Sequence, residues 1–212
     1  MHTCLPTTNT FTLSARDFRW FSVFTFVDEG YVKDDEKINP DALLATLKEN
    51  NVADAEERKK RGLPALLLEG WFIPPRYDAA TKRLEWATLL RSDSGQKNVN
   101  FTTKVLGRRG HMHMVLVSSP ESLDGDIKEF KSSLQGFDYV SGERYSEWTQ
   151  GDKVAAYGLG ALVLGGAAAI ATKKGLWALL VGLVTAGWKL IAGLVVAALA
   201  GVGSIFKKKK NP

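Results

Sequence analysis

Two histidines give the clearest metal-binding pattern in the sequence. His111 and His113 alternate on a predicted strand, so their imidazoles should point to the same face. A metal site needs at least a third ligand and a supporting shell, and the remaining histidine, His2, lies near the amino terminus. The alternative is a pair of partly exposed histidines beside a turn. His111 and His113 are candidate ligands, but no metal or other cofactor is expected.

Motifs for nucleophilic, metalloprotease or nucleotide chemistry are missing from the sequence. No GxSxG, HExxH, GxxxxGK[ST] or GxGxxG segment occurs. The one cysteine, Cys4, has no evident activating partner. The acidic run Asp34-Asp35-Glu36 is typical of a solvated loop, with loose calcium binding as the alternative. No catalytic residue is therefore assigned.

A group of aromatic, proline and charged residues around a predicted hairpin most resembles a binding site. Aromatic rings and prolines around an arginine can form a groove that takes peptides or glycans by stacking and hydrogen bonding. The residues of this predicted groove are Trp71, Pro74, Pro75, Arg76, Tyr77, Asp78, Trp86 and Arg108. Alternatively, the prolines shape a bend and the tryptophans anchor the core.

The elements that position these residues predict an α+β domain over residues 18–135. Alternating apolar residues and turn residues predict strands at 18–27, 66–73, 84–90, 98–106 and 111–118, as a largely antiparallel sheet. Asn39-Pro40 predicts the start of a first helix. A second, after Ser119-Pro120, has one apolar stripe made of Leu123, Ile127, Phe130 and Leu134. The two flanking helices should cover one face of the sheet.

The segments on either side of this domain predict little regular structure. Residues 1–17 are polar and are expected to form a disordered tail, without the apolar stretch of a secretory signal. Either the domain stays in the cytoplasm or the chain lacks its natural beginning. Residues 136–153 are polar and aromatic and are predicted to be a linker.

The carboxyl-terminal part of the chain has the composition of membrane segments. Residues 154–172 carry no charge, and as a helix they would span about 28 Å, close to the roughly 30 Å of a bilayer core. They are predicted to form a transmembrane helix. A second hydrophobic segment, 175–206, either spans the membrane or is interfacial or re-entrant, with a break near 187–189 where Lys189 would snorkel.

Charge and small residues support the same interpretation. No acidic residue follows Asp152, whereas eight lysines do. Contact with anionic lipid headgroups, rather than nucleic acid, is therefore expected, from Lys173, Lys174, Lys207, Lys208, Lys209 and Lys210 in the inter-segment pair and the basic tail 207–212. Close helix packing is expected at the small residues Ala161, Gly165, Ala169, Gly193, Ala197 and Gly201, unless they only reflect composition.

Several segments together resemble a known family. They are DEGYVKDDE (28–36), GWFIPPRYDAATKRLEWATLL (70–90), VNFTTKVLGRRG (99–110), GERYSEW (142–148) and DKVAAYGLGALV (152–163). The chain thereby resembles a bacterial family of predicted membrane-anchored proteins, the domain of unknown function 2167 family. Members typically have an amino-terminal signal peptide, which is absent here. The resemblance implies a domain on the outer side of the bacterial cytoplasmic membrane, but no assigned activity.

Three functions remain open from the sequence. The first is a non-enzymatic binding or scaffolding domain tethered at the membrane, with an unknown protein or envelope partner. The second is an envelope-associated enzyme acting on glycan, peptide or lipid, which requires the hairpin and the histidines to converge in one pocket. The third is a membrane-active protein whose small-residue helices self-associate.

Overall fold

A six-stranded antiparallel sheet organises residues 10–166, which are the residues that the computed structural model describes. Its strands are β1 Thr10–Ser14, β2 Phe21–Val27, β3 Leu66–Asp78, β4 Arg83–Ser92, β5 Lys97–Leu106 and β6 His111–Ser118. The strand order is β1-β2-β6-β5-β4-β3, and each neighbouring pair is antiparallel. The predicted α+β class with an antiparallel sheet is confirmed.

Three α-helices accompany the sheet in the described part of the chain: α1 Pro40–Lys60, α2 Leu123–Ser133 and α3 Leu159–Leu164. The side chain of Asn39 caps α1 by accepting a hydrogen bond from the backbone of Ala42 at 3.2 Å, as the Asn-Pro pair predicts. In α2, Leu123 and Phe130 of the predicted stripe are fully buried. Both predicted helices are therefore present.

The helices lie on opposite faces of the sheet, not together on one face. Side chains alternate along each strand, so Ala87 and Trp86 enter different core clusters. The α2 face carries the cluster of Ala15, Trp20, Phe24, Ala87, Val99, Phe101, Val105, Met114, Leu116, Leu123, Phe130 and Leu134. The α1 face carries the cluster of Val32, Leu84, Trp86, Leu106, Tyr145, Leu159, Leu162 and Val163. Helix propensity could not predict that α1 and α2 lie on opposite faces. The face that each helix covers depends on which side of the sheet its connecting segments cross.

Strand β3 continues through Pro74-Pro75, where the sequence pattern predicts its end. The strand lies at the edge of the sheet, so the missing N–H groups of the prolines interrupt no pairing with a second neighbour. Its register against β4 shifts between Ile73 and Arg76, and this irregularity accommodates the proline pair. The hairpin therefore presents Arg76, Tyr77 and Asp78 as strand residues.

Two segments expected to be irregular belong to the folded domain. Strand β1 lies within the predicted tail and pairs with β2 along its whole length. Within 136–153, the Tyr139 hydroxyl donates to the carbonyl of Val105 at 2.7 Å and accepts from the backbone of Met112 at 2.8 Å. Tyr145 in the same segment is buried in the α1-face cluster. Its aromatic side chains attach this segment to the sheet. Composition alone does not show whether such side chains are packed or exposed in a linker.

The beginning of the predicted transmembrane helix packs into the domain. Helix α3 is short, buries Leu159, Leu162 and Val163 on the α1 face, and ends at Gly165 in the left-handed conformation, with φ at 113°. Among residues 10–166, no helix has the length and apolar character needed to cross a bilayer. The predictions for residues 167–172, the second segment 175–206 and the basic tail 207–212 lie outside the described residues. The same holds for the predicted headgroup contacts Lys173, Lys174 and Lys207–Lys210, and for the small residues Ala169, Gly193, Ala197 and Gly201.

Candidate ligand pocket on the α1 face

A pocket of about 190 Å³ lies on the α1 face, where strands β2, β5 and β6 approach α3. Its polar residues are Glu29, Lys104, His111 and His113. Its apolar wall consists of Val27, Trp86, Leu162 and Val163. The pocket therefore combines ionisable groups with a hydrocarbon surface, which is the usual composition of a small-molecule site.

The β5–β6 hairpin brings the nitrogen groups of the pocket together. Lys104 on β5 is the direct cross-strand partner of His113 on β6, and Leu106 is the partner of His111. Residues 104 and 106, like 111 and 113, point to one face because side chains alternate along a strand. A Cβ atom at Gly110, in the turn, would overlap the backbone of Val27. The glycine therefore permits the close approach of β2, whose Val27 lines the pocket.

The central contact joins Lys104 and His111. The Lys104 Nζ atom lies 3.2 Å from His111 Nε2, and the two side chains are 5% and 1% exposed. A lysine ammonium can only donate, so Nε2 accepts and the hydrogen of a neutral imidazole lies on Nδ1. The Nδ1 atoms of His111 and His113 are buried and have no hydrogen-bond partner among residues 10–166. The pocket thus offers unmatched polar groups to a ligand or to water.

Burial determines the protonation of these groups. It lowers the pKa of Lys104 to about 8, against the opposing effect of the negative charge of Glu29. Burial, followed by the charge of Lys104, lowers the pKa of His111 to about 2 and that of His113 to about 4. Burial thus keeps both imidazoles uncharged at neutral pH and increases the free-amine fraction of Lys104.

Metal binding by the two histidines lacks a supporting ligand set. Within the described chain, no group of three histidine, cysteine, aspartate or glutamate residues could hold a metal ion. His111 Nε2 is engaged by Lys104, and a nearby ammonium opposes a metal cation. The pair lies on one face as its spacing predicts, and Lys104 contacts His111 and is the cross-strand partner of His113.

The residues of the predicted groove are divided between the two faces of the sheet. Tyr77 pairs with Leu84, whereas Arg76 and Asp78 pair with Glu85 and Arg83, so alternation points Tyr77 away from its two neighbours. The α1 face holds Trp71, Tyr77 and the buried Trp86. On the other side, an open pocket of about 540 Å³ is lined by Arg76 and Asp78, and Tyr77 also lines it. Pro74 is exposed and Pro75 is buried in the same strand.

Arg108, the last residue of the predicted groove, belongs to neither of these two groups. Its guanidinium binds Asp152 through two nitrogens, at 2.7 and 2.9 Å, and donates to the carbonyl of Gly142 at 3.2 Å. This bidentate hydrogen bond holds the pKa of Asp152 well below its usual range. The arginine therefore fastens the segment 142–152 to the β5–β6 turn.

Comparison with known proteins identifies the family of the chain. A family model described as a protein of unknown function (DUF2167) matches residues 5–200 of the chain. The chain belongs to this family. No curated protein and no solved structure matches it.

In this DUF2167 member, the acidic segment 28–36 links distant parts of the domain. Asp34 accepts hydrogen bonds from the Tyr77 hydroxyl at 2.7 Å and from Lys82 Nζ at 2.8 Å. Burial raises the pKa of Asp34, but these hydrogen bonds outweigh it and hold that pKa below its usual value. Glu36 accepts from the backbone of Gly160 at 3.1 Å, next to the start of α3. Most of the acidic run is thus structural, although Asp35 is exposed.

Sequence reasoning missed Lys104 and Glu29 in the DUF2167 pocket. One signal was available for Lys104, because it is a charged residue inside an otherwise apolar or small stretch, 101–106, that predicts a central strand. Pairing that strand with 111–118 across the tight turn places Lys104 opposite His113. Glu29 carried no comparable signal, since it reaches the pocket from a loop.

Proposed function

We propose that this DUF2167 member is a non-enzymatic binding domain, tethered to the bacterial cytoplasmic membrane, that takes a small ligand in the pocket of Lys104, His111 and His113. The observation that carries the proposal is the set of unmatched buried nitrogens in that pocket. Buried polar groups without partners are costly, at about 1–3 kcal/mol each, and are usually satisfied by a ligand or ordered water. A ligand in the pocket would satisfy them.

The tether is supported by the sequence beyond the described domain. Residues 175–206 are apolar apart from Lys189, and the chain continues into Lys207–Lys210 without an acidic residue. Apolar segments flanked by lysines favour a bilayer with anionic headgroups. If the second segment is interfacial or re-entrant, both lysine clusters share the cytoplasmic side and the domain lies on the outer side.

The positions of the predicted residues do not support the enzymatic alternative. That alternative requires His111, His113 and Asp78 to share a pocket. Asp78 pairs with Arg83 on the α2 face, whereas the histidines line the α1 face. The self-association alternative depends mainly on residues beyond 166.

The tether is tested by flotation of the full-length protein with lipid vesicles. We expect the protein to float with phosphatidylglycerol-containing vesicles and to resist release by high salt, because apolar insertion is not screened. A variant with Lys207–Lys210 all changed to glutamine should lose its preference for these vesicles over phosphatidylcholine vesicles. Recovery of the wild-type protein as a folded monomer at the bottom of the gradient would reject the tether.

The pocket is tested separately with a neutral probe of suitable size. A cavity of roughly 150 Å³ accepts benzene, so a pocket of about 190 Å³ should accept benzyl alcohol. In full-length protein with ¹⁵N-labelled histidine, held in lipid nanodiscs, benzyl alcohol should shift the His111 and His113 resonances but not those of His2. Val27→Phe, which narrows the pocket from its half-buried wall, is the control variant and should weaken that shift. Unchanged histidine resonances at saturating probe would reject the site.

A further inference from the structure

The geometry of this pocket points to a reversible covalent anchor: the side-chain amine of Lys104 forms an imine with a small, neutral aldehyde or ketone. The inference rests on the proposed function, because it names the ligand class of the same pocket. Lys104 is 5% exposed and lines the same pocket as Leu162 and Val163, and its Nζ atom lies 3.2 Å from His111 Nε2. A lysine desolvated in a hydrophobic pocket is the usual setting for this chemistry.

The reaction balances without any further reagent. The ammonium of Lys104 releases one proton to solvent, and the resulting amine adds to the carbonyl carbon to form a carbinolamine. Loss of one water molecule then gives the imine, with no oxidation or reduction. His111 positions the nitrogen by holding one of its hydrogens, and the Nδ1–H group of the same ring remains available to a ligand oxygen.

The protonation of Lys104 favours the first step. Burial lowers its pKa to about 8. About a tenth of the side chains therefore carry a neutral amine at pH 7, against less than about one in a thousand for a lysine with an ordinary pKa near 10.4. Exposed lysines of the same chain provide an internal comparison.

The charges of the pocket select a neutral ligand over an acid. Glu29 lies in the same wall, and its negative charge acts on Lys104. Protonated Lys104 balances the charge of Glu29, so an ionised carboxylate would bring an uncompensated negative charge into a desolvated site, which is unfavourable. A carbonyl compound brings no charge, and its hydrocarbon part can pack against Trp86, Leu162 and Val163.

The size of the pocket limits the ligand to about one ring. A cavity of roughly 150 Å³ holds benzene, and this pocket measures about 190 Å³. Benzaldehyde is therefore a suitable probe, and it differs from benzyl alcohol only in the group that can react with an amine.

The experiment is reductive trapping of the full-length protein in nanodiscs with benzaldehyde and cyanoborohydride at pH 8. Mass spectrometry of chymotryptic peptides then gives the labelling rate of each lysine. Lys104 should be labelled at least about tenfold faster than the exposed Lys59, because burial lowers the pKa of Lys104 and so raises its amine fraction. The Val27→Phe variant should slow labelling at residue 104 and leave Lys59 unchanged. Lys104→Met should remove the fast site without changing the remaining peptides.

The outcomes separate this inference from the proposed function. If benzyl alcohol shifts the histidine resonances but Lys104 is labelled no faster than Lys59, the pocket stands and the covalent anchor is rejected. If benzyl alcohol also fails, both are rejected. Fast labelling that Val27→Phe does not slow would also overturn the inference, because the reaction would not then occur in the pocket.

Discussion

Lys104 Nζ lies 3.2 Å from His111 Nε2, between two adjacent strands of the sheet, and both side chains are almost fully buried. The contact places a cation beside imidazoles that burial already keeps neutral. Burial therefore disfavours the charged form of all three side chains: at neutral pH both histidines are neutral, and Lys104 keeps its proton at an energetic cost. Both the acid and the alkaline stability of the domain depend on this arrangement.

The free energy of unfolding should fall as the pH drops from 6.5 to about 4. His111 and His113 have folded-state pKa values of about 2 and 4, below the 6.5 expected when unfolded, so the unfolded chain binds protons first. Each histidine should contribute at most about 1.4 kcal/mol per pH unit, with smaller slopes near pH 6.5 and, for His113, near pH 4. Denaturant titrations followed by tryptophan fluorescence would measure the slope. The groups that face the pair are Lys104 and Glu29.

The control for this prediction is His113→Gln, which should reduce the slope by about half since one of the two titrating groups is gone. Carboxylates with lowered pKa values, such as Asp34, lose their contribution only below about pH 4. Equal stability at pH 6.5 and 4.5 in the wild-type protein would contradict the prediction.

Replacing Lys104 with methionine should stabilise the domain at pH 7. The lowered pKa of Lys104, about 8, means that the protonated side chain is unfavourable in the folded state by about 3 kcal/mol. Methionine fills a similar volume, but it leaves His111 Nε2 without a donor, which costs about 1 kcal/mol. The expected net gain is about 1–2 kcal/mol by denaturant titration.

The pH dependence identifies the cause of that gain. Wild-type stability should rise from pH 8 towards 10, because the unfolded chain holds the lysine proton longer than the folded one. The Lys104→Met variant should lack this rise. A variant that is less stable than wild type at pH 7 would show that the lysine makes a net favourable contact.

Gly110→Ala should destabilise the domain severely. A Cβ atom at this position would overlap the backbone carbonyl of Val27, which cannot move without breaking the β2–β6 pairing. A loss of about 3 kcal/mol or more is expected from such backbone overpacking. Gly125→Ala is the matched control, since nothing lies within 4 Å of its Cβ position in α2. It should stabilise the helix by about 0.5–1 kcal/mol, and thermal denaturation would measure both changes.

Asp34→Ala should reduce the free energy of unfolding by about 1–3 kcal/mol. The substitution leaves the Tyr77 hydroxyl and Lys82 Nζ without their shared acceptor, at 2.7 and 2.8 Å in the native domain. Asp35→Ala, one residue away and exposed, should change stability by less than about 0.5 kcal/mol. Denaturant titrations of the two variants should differ clearly. Similar values for both would indicate that the Asp34 contacts are not maintained in solution.

Arg108→Lys should loosen the segment 142–152 although the charge is retained. Lysine cannot reproduce the two parallel hydrogen bonds to Asp152 together with the bond to the carbonyl of Gly142. Amide hydrogen exchange should show faster exchange at Tyr145 and its neighbours. Arg109→Lys, at the more exposed neighbouring position, should leave Tyr145 protected. Equal amide exchange rates at Tyr145 in the two variants would show that Arg108 does not hold the segment 142–152 in place.

Local signals in the sequence were sufficient for most of the secondary structure. The Asn39-Pro40 cap and the stripe containing Leu123 and Phe130 predict α1 and α2 because capping and helical periodicity act within a few residues. Strand β6 has its predicted bounds, and the alternation that places His111 and His113 on one face is equally local. The segments that resemble the DUF2167 family likewise required no structure to be noticed.

Tertiary structure alone decided how those elements meet. The pairing that sets Lys104 opposite His113, and the face that separates Tyr77 from Arg76 and Asp78, depend on register between strands distant in sequence. The stretch around Leu159 is apolar enough for a bilayer by composition, yet the domain core buries it. Hydropathy measures only the free energy of leaving water, and it does not distinguish the interior of a protein from the interior of a membrane.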